Sequence, residues 1–162
     1  MEIRLATIDD AEALRAIYNR EVLETTHTFD LEPRSLEEQR EWIADREGAR
    51  GVLVAELEGR VVGFASLSPY RPRAAYRTTV ENSVYVDESA RGLGVGRALM
   101  DELIVVATQR GFHTIVAHIV GGHEPSIGLH HACGFKVVGT EREVGRKFGR
   151  WLDVVVMQRM LA

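Results

Sequence analysis
The sequence predicts an α/β protein: one mixed sheet with helices on its faces. Three observations predict it. Apolar residues make up 45% and charged residues 27% of the 162 positions, a globular balance. Two apolar runs joined at Glu58-Gly59-Arg60 announce an antiparallel hairpin early in the chain. Later, apolar strands alternate with helical periodicity, the pattern of strand–helix–strand units. The length suits one domain over residues 1–162, and no repeat, linker or low-complexity tract divides it.

The elements follow in order. Glu2 to Ala6 alternates charged and apolar residues, as a short strand does. Asp9 or Asp10 is placed to cap a helix bearing Ala13, Leu14, Ile17, Tyr18 and Val22 at helical spacing. Ser35 opens a second helix, with Glu38 completing a capping box. Val52–Leu57 and Val61–Leu67 are the hairpin strands, and a loop, SPYRPRAAYR, leads to a strand over Thr79–Val86. A helix with Leu99, Leu103, Val106 and Ala107 on one face stops at Gly111. Thr114–Ile119 is a strand, Pro125 begins a short helix that ends near Cys133-Gly134, and Phe135–Thr140 and Trp151–Met160 are the last strands.

Composition excludes several functions. A net charge of −4 gives no broad cationic footprint for nucleic acid. The single cysteine, Cys133, rules out an internal disulfide framework and suits a reducing compartment. It lies in an apolar run before Gly134, so it reads as buried rather than nucleophilic. The opening MEIRLATIDD has no apolar signal core, and no stretch approaches the ~20 apolar residues of a membrane span. A soluble cytoplasmic protein without membrane contact is expected. The six histidines form no HExxH motif and meet no paired-cysteine spacing, so no metal site is expected.

The stretch SARGLGVGRALM is the strongest local signal. Gly92, Gly94 and Gly96 alternate between flanking Arg91 and Arg97, after a strand and before an amphipathic helix. Helix N-termini carry unpaired amides and a positive dipole, and glycine lets an anion approach them. A Walker loop would need Gly-Lys, and a Rossmann fingerprint would need GxGxxG; both fail on spacing. The stretch is either a phosphate-binding loop or a flexible turn. Glu81 shares a strand face with Ser83 and Tyr85, opposite Val80, Val84 and Val86, and is either a proton-accepting carboxylate or a solvated one. Arg71, Arg73 and Arg77 form either a carboxylate clamp or a set of solvated loop cations. Phe29 and Trp151 read as core aromatics or as walls of an acceptor pocket.

Four stretches, YRPRAAYRTTVENSVYV, the glycine loop, SIGLHHACGF and KFGRWLDVVVMQ, together resemble the GNAT superfamily of N-acetyltransferases. Within it they are most similar to the phosphinothricin and methionine sulfoximine acetyltransferase branch. The likeness spans nearly the whole chain, beginning with IYNREV in the first helix. It implies a mixed, mostly antiparallel sheet with helices on both faces, a bulge in the strand at 79–86, and a homodimer. It also implies transfer of acetyl from acetyl-CoA, the co-substrate, to the α-amino group of an amino-acid-like acceptor, directly in a ternary complex.

By the same resemblance, Glu81 is the base, and Arg71, Pro72, Arg73, Asn82 and Ser83 join it in holding the acceptor. Val84, Tyr85 and Val86 run along the carrier's arm. Arg91, Gly92, Leu93, Gly94, Val95, Gly96 and Arg97 hold its diphosphate. His123, where relatives commonly have Asn, and Ser126 add contacts. His130 stands where many members place a tyrosine that protonates the leaving thiolate, so it is either that acid or a packing histidine. KFGRWLD is the piece that closes the site and makes the dimer contact. Two other functions stay open on these residues: a protein or peptide N-terminal acetyltransferase, and a non-catalytic acyl-CoA sensor that would not need Glu81.

Overall fold
The computed structural model describes residues 1–46 and 51–161. Seven strands form one sheet: β1 (Glu2–Leu5), β2 (Val52–Leu57), β3 (Arg60–Pro69), β4 (Thr79–Val86), β5 (Thr114–Val120), β6 (Lys136–Lys147) and β7 (Arg150–Met160). Their order across the sheet is β1-β2-β3-β4-β5-β7-β6, and every pair is antiparallel except β4–β5. Four helices cover the sheet: α1 (Ala11–Glu24), α2 (Leu36–Ala44), α3 (Val95–Gln109) and α4 (Glu124–Ala132).

Two cores follow from strand alternation. On one face Leu14, Ile17, Tyr18 and Val22 of α1 and Ile43 of α2 pack on Val52, Val54 and Phe64. On the other, Leu99, Met100 and Leu103 of α3 pack on Leu53, Ala65, Leu67, Ile115 and Ala117, with Ile127 and Leu129 of α4 beside them. No helix among the described residues is long and apolar enough to cross a membrane.

Several expectations change here. Ser35 and Glu38 do form a reciprocal capping box, each bond 3.1 Å. Asp10 does not cap α1. Its carboxylate folds back onto the Thr7 amide at 2.7 Å and the Arg4 guanidinium at 2.8 and 2.9 Å, because a strong cation outcompetes a helix amide for it. Helix α4 starts at Glu124, so Pro125 sits one position inside. Strand β6 runs on to Lys147 instead of stopping at Thr140. The polar stretch reads as a loop, but a bulge absorbs it: the register jumps from Glu141↔Val154 to Gly145↔Leu152, with Glu143 at φ 51°. The bulge expected in β4 is absent. β4 pairs with β3 without interruption from Val80↔Pro69 to Val86↔Gly63. The irregularity lies one strand over, where Ala55↔Gly63 gives way to Glu56↔Val61 and Val62 becomes the extra residue.

Phe29 and Trp151 are not core residues; they are 39% and 60% exposed. Phe29 lies over Gly145, where a Cβ would collide with its ring, and Trp151 stacks with Arg146 at 4.5 Å. Cys133 is buried, and burial pushes its thiol pKa up.

Candidate active site
The site begins as a split in the sheet. β4 and β5 pair only at Thr79↔Thr114, Val80↔Ile115 and Glu81↔Val116. Beyond that point β4 stays with β3, while β5 stays with β7 as far as Val120↔Val154. The Asp87 amide donates to Val62 O at 2.7 Å. Antiparallel alternation therefore turns the amides and carbonyls of Val84 and Val86 the other way, into the gap. The parting of strands frees backbone groups where a bulge was expected to. The gap widens into a cleft of about 400 Å³, lined by Ser83, Val84, Tyr85 and Val86 on one side and Ala117, His118, Ile119 and Val120 on the other. The Tyr85 ring packs away toward Tyr18 and Phe64, at 5.3 and 5.5 Å.

At the cleft's far end stands the N-terminus of α3. Gly92 and Gly94 have φ of 78° and 81°, and a Cβ on either would meet nothing within 4 Å, so conformation alone requires glycine there. Gly96 has a different reason: its Cβ would come within 3.2 Å of Leu129 Cδ2 on α4. The first helical bond of α3 runs from the Ala98 amide to Gly94 O at 3.1 Å. The amides of Val95, Gly96 and Arg97 precede it and have no partner inside the helix. Val95 is 2% exposed and packs into the core, whereas Leu93 is 60% exposed. Arg91 bonds the buried Glu21 carboxylate at 2.7 Å, and Arg97 bonds Asp101 at 3.0 Å. Both arginines expected at the phosphate thus already face carboxylates, which leaves the helix amides and dipole as the groups open to an anion. These groups fit a thioester carrier with a diphosphate: open helix amides at one end, unpaired strand amides along the gap, and Asn82 Oδ1, buried without a partner, at its wall.

Glu81 lies at the apex of the split. Its Oε1 accepts from His118 Nδ1 at 2.6 Å, and this bond lifts the His118 pKa above its ordinary value. Tyr70 lies nearly parallel to the His118 ring at 6.2 Å, and the Arg71 guanidinium stacks on Tyr70 at 4.7 Å. Arg71 therefore reaches the same side of the sheet as Glu81, while Pro72, Arg73 and Arg77 are exposed along the loop. Asn82 points to the other face. Its Nδ2 lies 2.9 Å from His130 Nε2 and 3.6 Å from Met100 Sδ.

His130 is 4% exposed. Its Nδ1 donates to Ser126 O at 2.8 Å, so Nε2 is the acceptor for Asn82, and burial holds the ring neutral with a lowered pKa. His123, the residue before α4, stacks on His27 with centroids 3.6 Å apart and planes 3° apart. Burial, with His27 beside it, depresses the His123 pKa to about 4. His27 Nδ1 bonds Glu21 Oε2 at 2.9 Å.

Sequence reasoning missed Glu21, His27 and the pairing of His118 with Glu81. Glu21 had a signal: it lies one turn after Ile17, so a charge stands on the buried stripe of α1. His118 had one too, as the only ionisable residue in β5. The buried Lys147, whose Nζ donates to Thr28 O at 2.9 Å and ties the β6–β7 hairpin to the segment after α1, had none.

Known proteins match this arrangement. The acetyltransferase (GNAT) domain model matches residues 3–156. An L-methionine sulfoximine/L-methionine sulfone acetyltransferase of Pseudomonas aeruginosa is 40% identical over 158 residues, covering 96% of this chain and 92% of that protein. A ribosomal-protein-alanine N-acetyltransferase of Brucella melitensis superposes with a TM-score of 0.97 at 46% identity, covering 99% of this chain and 100% of the other. A phosphinothricin acetyltransferase of Sinorhizobium meliloti, solved with AcCoA, gives 0.96 at 39% identity, covering 99% and 88%. With a split sheet, a glycine-led helix and these relatives across nearly its whole length, the chain belongs to the GNAT acetyltransferase family.

Proposed function
We propose that the protein transfers acetyl from acetyl-CoA to the α-amino group of a free amino acid of the phosphinothricin or methionine sulfoximine type. The observation that carries the reading is the split between β4 and β5, with anion-binding amides at its far end and an ionisable dyad at its apex. Acetyl-CoA supplies the activated acetyl group. The α3 amides hold its diphosphate, and the Val84 and Val86 backbone orients its arm in the gap. Arg71, braced by Tyr70 and near Tyr76 at 5.6 Å, binds the acceptor carboxylate. Glu81 supplies the negative charge that draws a proton from the acceptor ammonium. Asn82, held by His130, aims a polar group at the cleft wall, and Ser83 lines the same wall.

We take residues 1–162 to be one domain in the cytoplasm, working as a homodimer. The exposed apolar side chains Val137, Val138, Phe148 and Trp151 on the β6–β7 hairpin support the dimer.

A thiol-release assay with acetyl-CoA and a panel of acceptors tests the reading. Phosphinothricin, methionine sulfoximine and related free amino acids are expected to turn over, and Arg71→Ala to raise their KM about tenfold or more with little change for acetyl-CoA. Faster turnover of an alanine-ended peptide would favour a protein N-terminal acetyltransferase, the activity that the Brucella structure is named for. Binding of acetyl-CoA with no turnover of any acceptor would leave a sensor.

A further inference from the structure
The dyad at the apex of the cleft divides its labour in a way that residue types alone do not reveal. Glu81 pairs with Val116 in the last rung before the strands part. His118 lies two residues further along β5, past the split and on the same face. It lines the cleft; Glu81 does not. The imidazole spends Nδ1 on Glu81, and its Nε2 has no hydrogen-bond partner among the described residues. The Tyr70 ring lies nearly parallel to the imidazole at 6.2 Å, and Val156 is its register partner on β7.

We propose that His118 Nε2 is the atom that takes the proton from the acceptor ammonium, and that Glu81 is a positioning residue holding the Nδ1–H tautomer. The inference rests on the acetyltransferase reading above.

The step balances. The ammonium gives one proton to Nε2, leaving a free amine and an imidazolium paired with the Glu81 carboxylate. The amine nitrogen forms the bond to the acyl carbon, the carbon–sulfur bond breaks, and the second proton on that nitrogen goes to the departing sulfur. The imidazolium returns its proton to water. The charged neighbours agree with this role. Glu81 from β4 and Glu141 from β6 favour the cationic ring, and Arg71 opposes it. A base with a pKa near the working pH combines availability with driving force.

The test compares wild type with His118→Ala and His118→Gln, using the free amino acid that the acceptor panel identifies, with and without added imidazole. Both variants should still bind acetyl-CoA with measurable heat, which reports an intact fold. Turnover should fall about 100-fold in both, and the acid limb of the pH–rate profile should lose its imidazole ionisation. Added imidazole should restore about tenfold in His118→Ala and nothing in His118→Gln, whose side chain fills the space. Imidazole should not rescue Glu81→Gln. Variant rates within about twofold of wild type, or a lack of rescue in His118→Ala, overturn the proposal while leaving the acetyltransferase reading intact. A wild-type protein inert toward every free amino acid overturns that reading, and this inference with it.

Discussion

Glu21 shows how a single residue can organise a site without touching its chemistry. Its carboxylate, 5% exposed, accepts from Arg91, His27 and Thr25 at once, so a buried charge becomes a fully bonded hub. His27 in turn fixes the ring of His123. That stack predicts a pH dependence. A histidine at about 4 when folded and near 6.5 when unfolded stays neutral in the native state, so stability is complete above pH 6.5 and is lost as the pH falls toward 4. Between pH 5 and 6 the unfolded chain holds about one proton more at this site. His123→Asn should therefore flatten the urea-unfolding free energy against pH by about 1 kcal/mol per unit across that interval. An unchanged slope would show that burial does not depress this group. At this scale the sequence was only partly legible. Glu81 and Arg71 carry chemistry in their types, but the partner of each is set by folding. His118 meets Glu81 across the sheet, and Arg97 is drawn to Asp101 a turn along its own helix.

Elements were more legible than residues wherever the signal was local. The Ser35–Glu38 box and the stop at Gly111, with φ 84°, are decided within a few residues and read directly. Asp10 and β6 were not, because a partner on another element decides each: Arg4 on β1 for the first, and the β7 ladder for the second. The glycines before α3 make the same point within one motif, since Gly94 serves conformation and Gly96 serves packing. Gly94→Ala forces an alanine to φ near 81°, which costs about 1–2 kcal/mol, and it sets a methyl beside the open amides. Calorimetry should show acetyl-CoA binding weakened about tenfold or more. Gly96→Ala presses the flexible end of Leu129, touches Val86 Cγ2 at an ordinary 3.8 Å, and gains helix propensity of about 1 kcal/mol, so its melting temperature should stay within a few degrees of wild type. Equal binding losses in the two variants would refute the separation of roles.

At the scale of the whole molecule, the fold class and the β2–β3 hairpin were legible because hairpin turns and strand–helix alternation are short-range patterns, while the mostly antiparallel sheet followed only from the family resemblance. The split was not, since nothing in the β4 sequence announces where β5 lets go. The β6–β7 edge presents a 60% exposed Trp151 and a 64% exposed Val138, more apolar surface than an edge strand in a monomer normally carries. Light scattering should give twice the 18.1 kDa chain mass, and Val138→Lys with Trp151→Lys should give the single mass. A monomeric wild type would remove the dimer.

The split has one more consequence. Sheets usually expose adhesive margins only at their outer rims, but this one carries two more in its middle, facing each other across the cleft. Unpaired strand margins are templates for an extended amide-bearing chain, and on the proposed function that chain is the carrier's arm. With the thioester's arm filling that seam, acetyl-CoA should shield both inner margins from pairing with a stray strand.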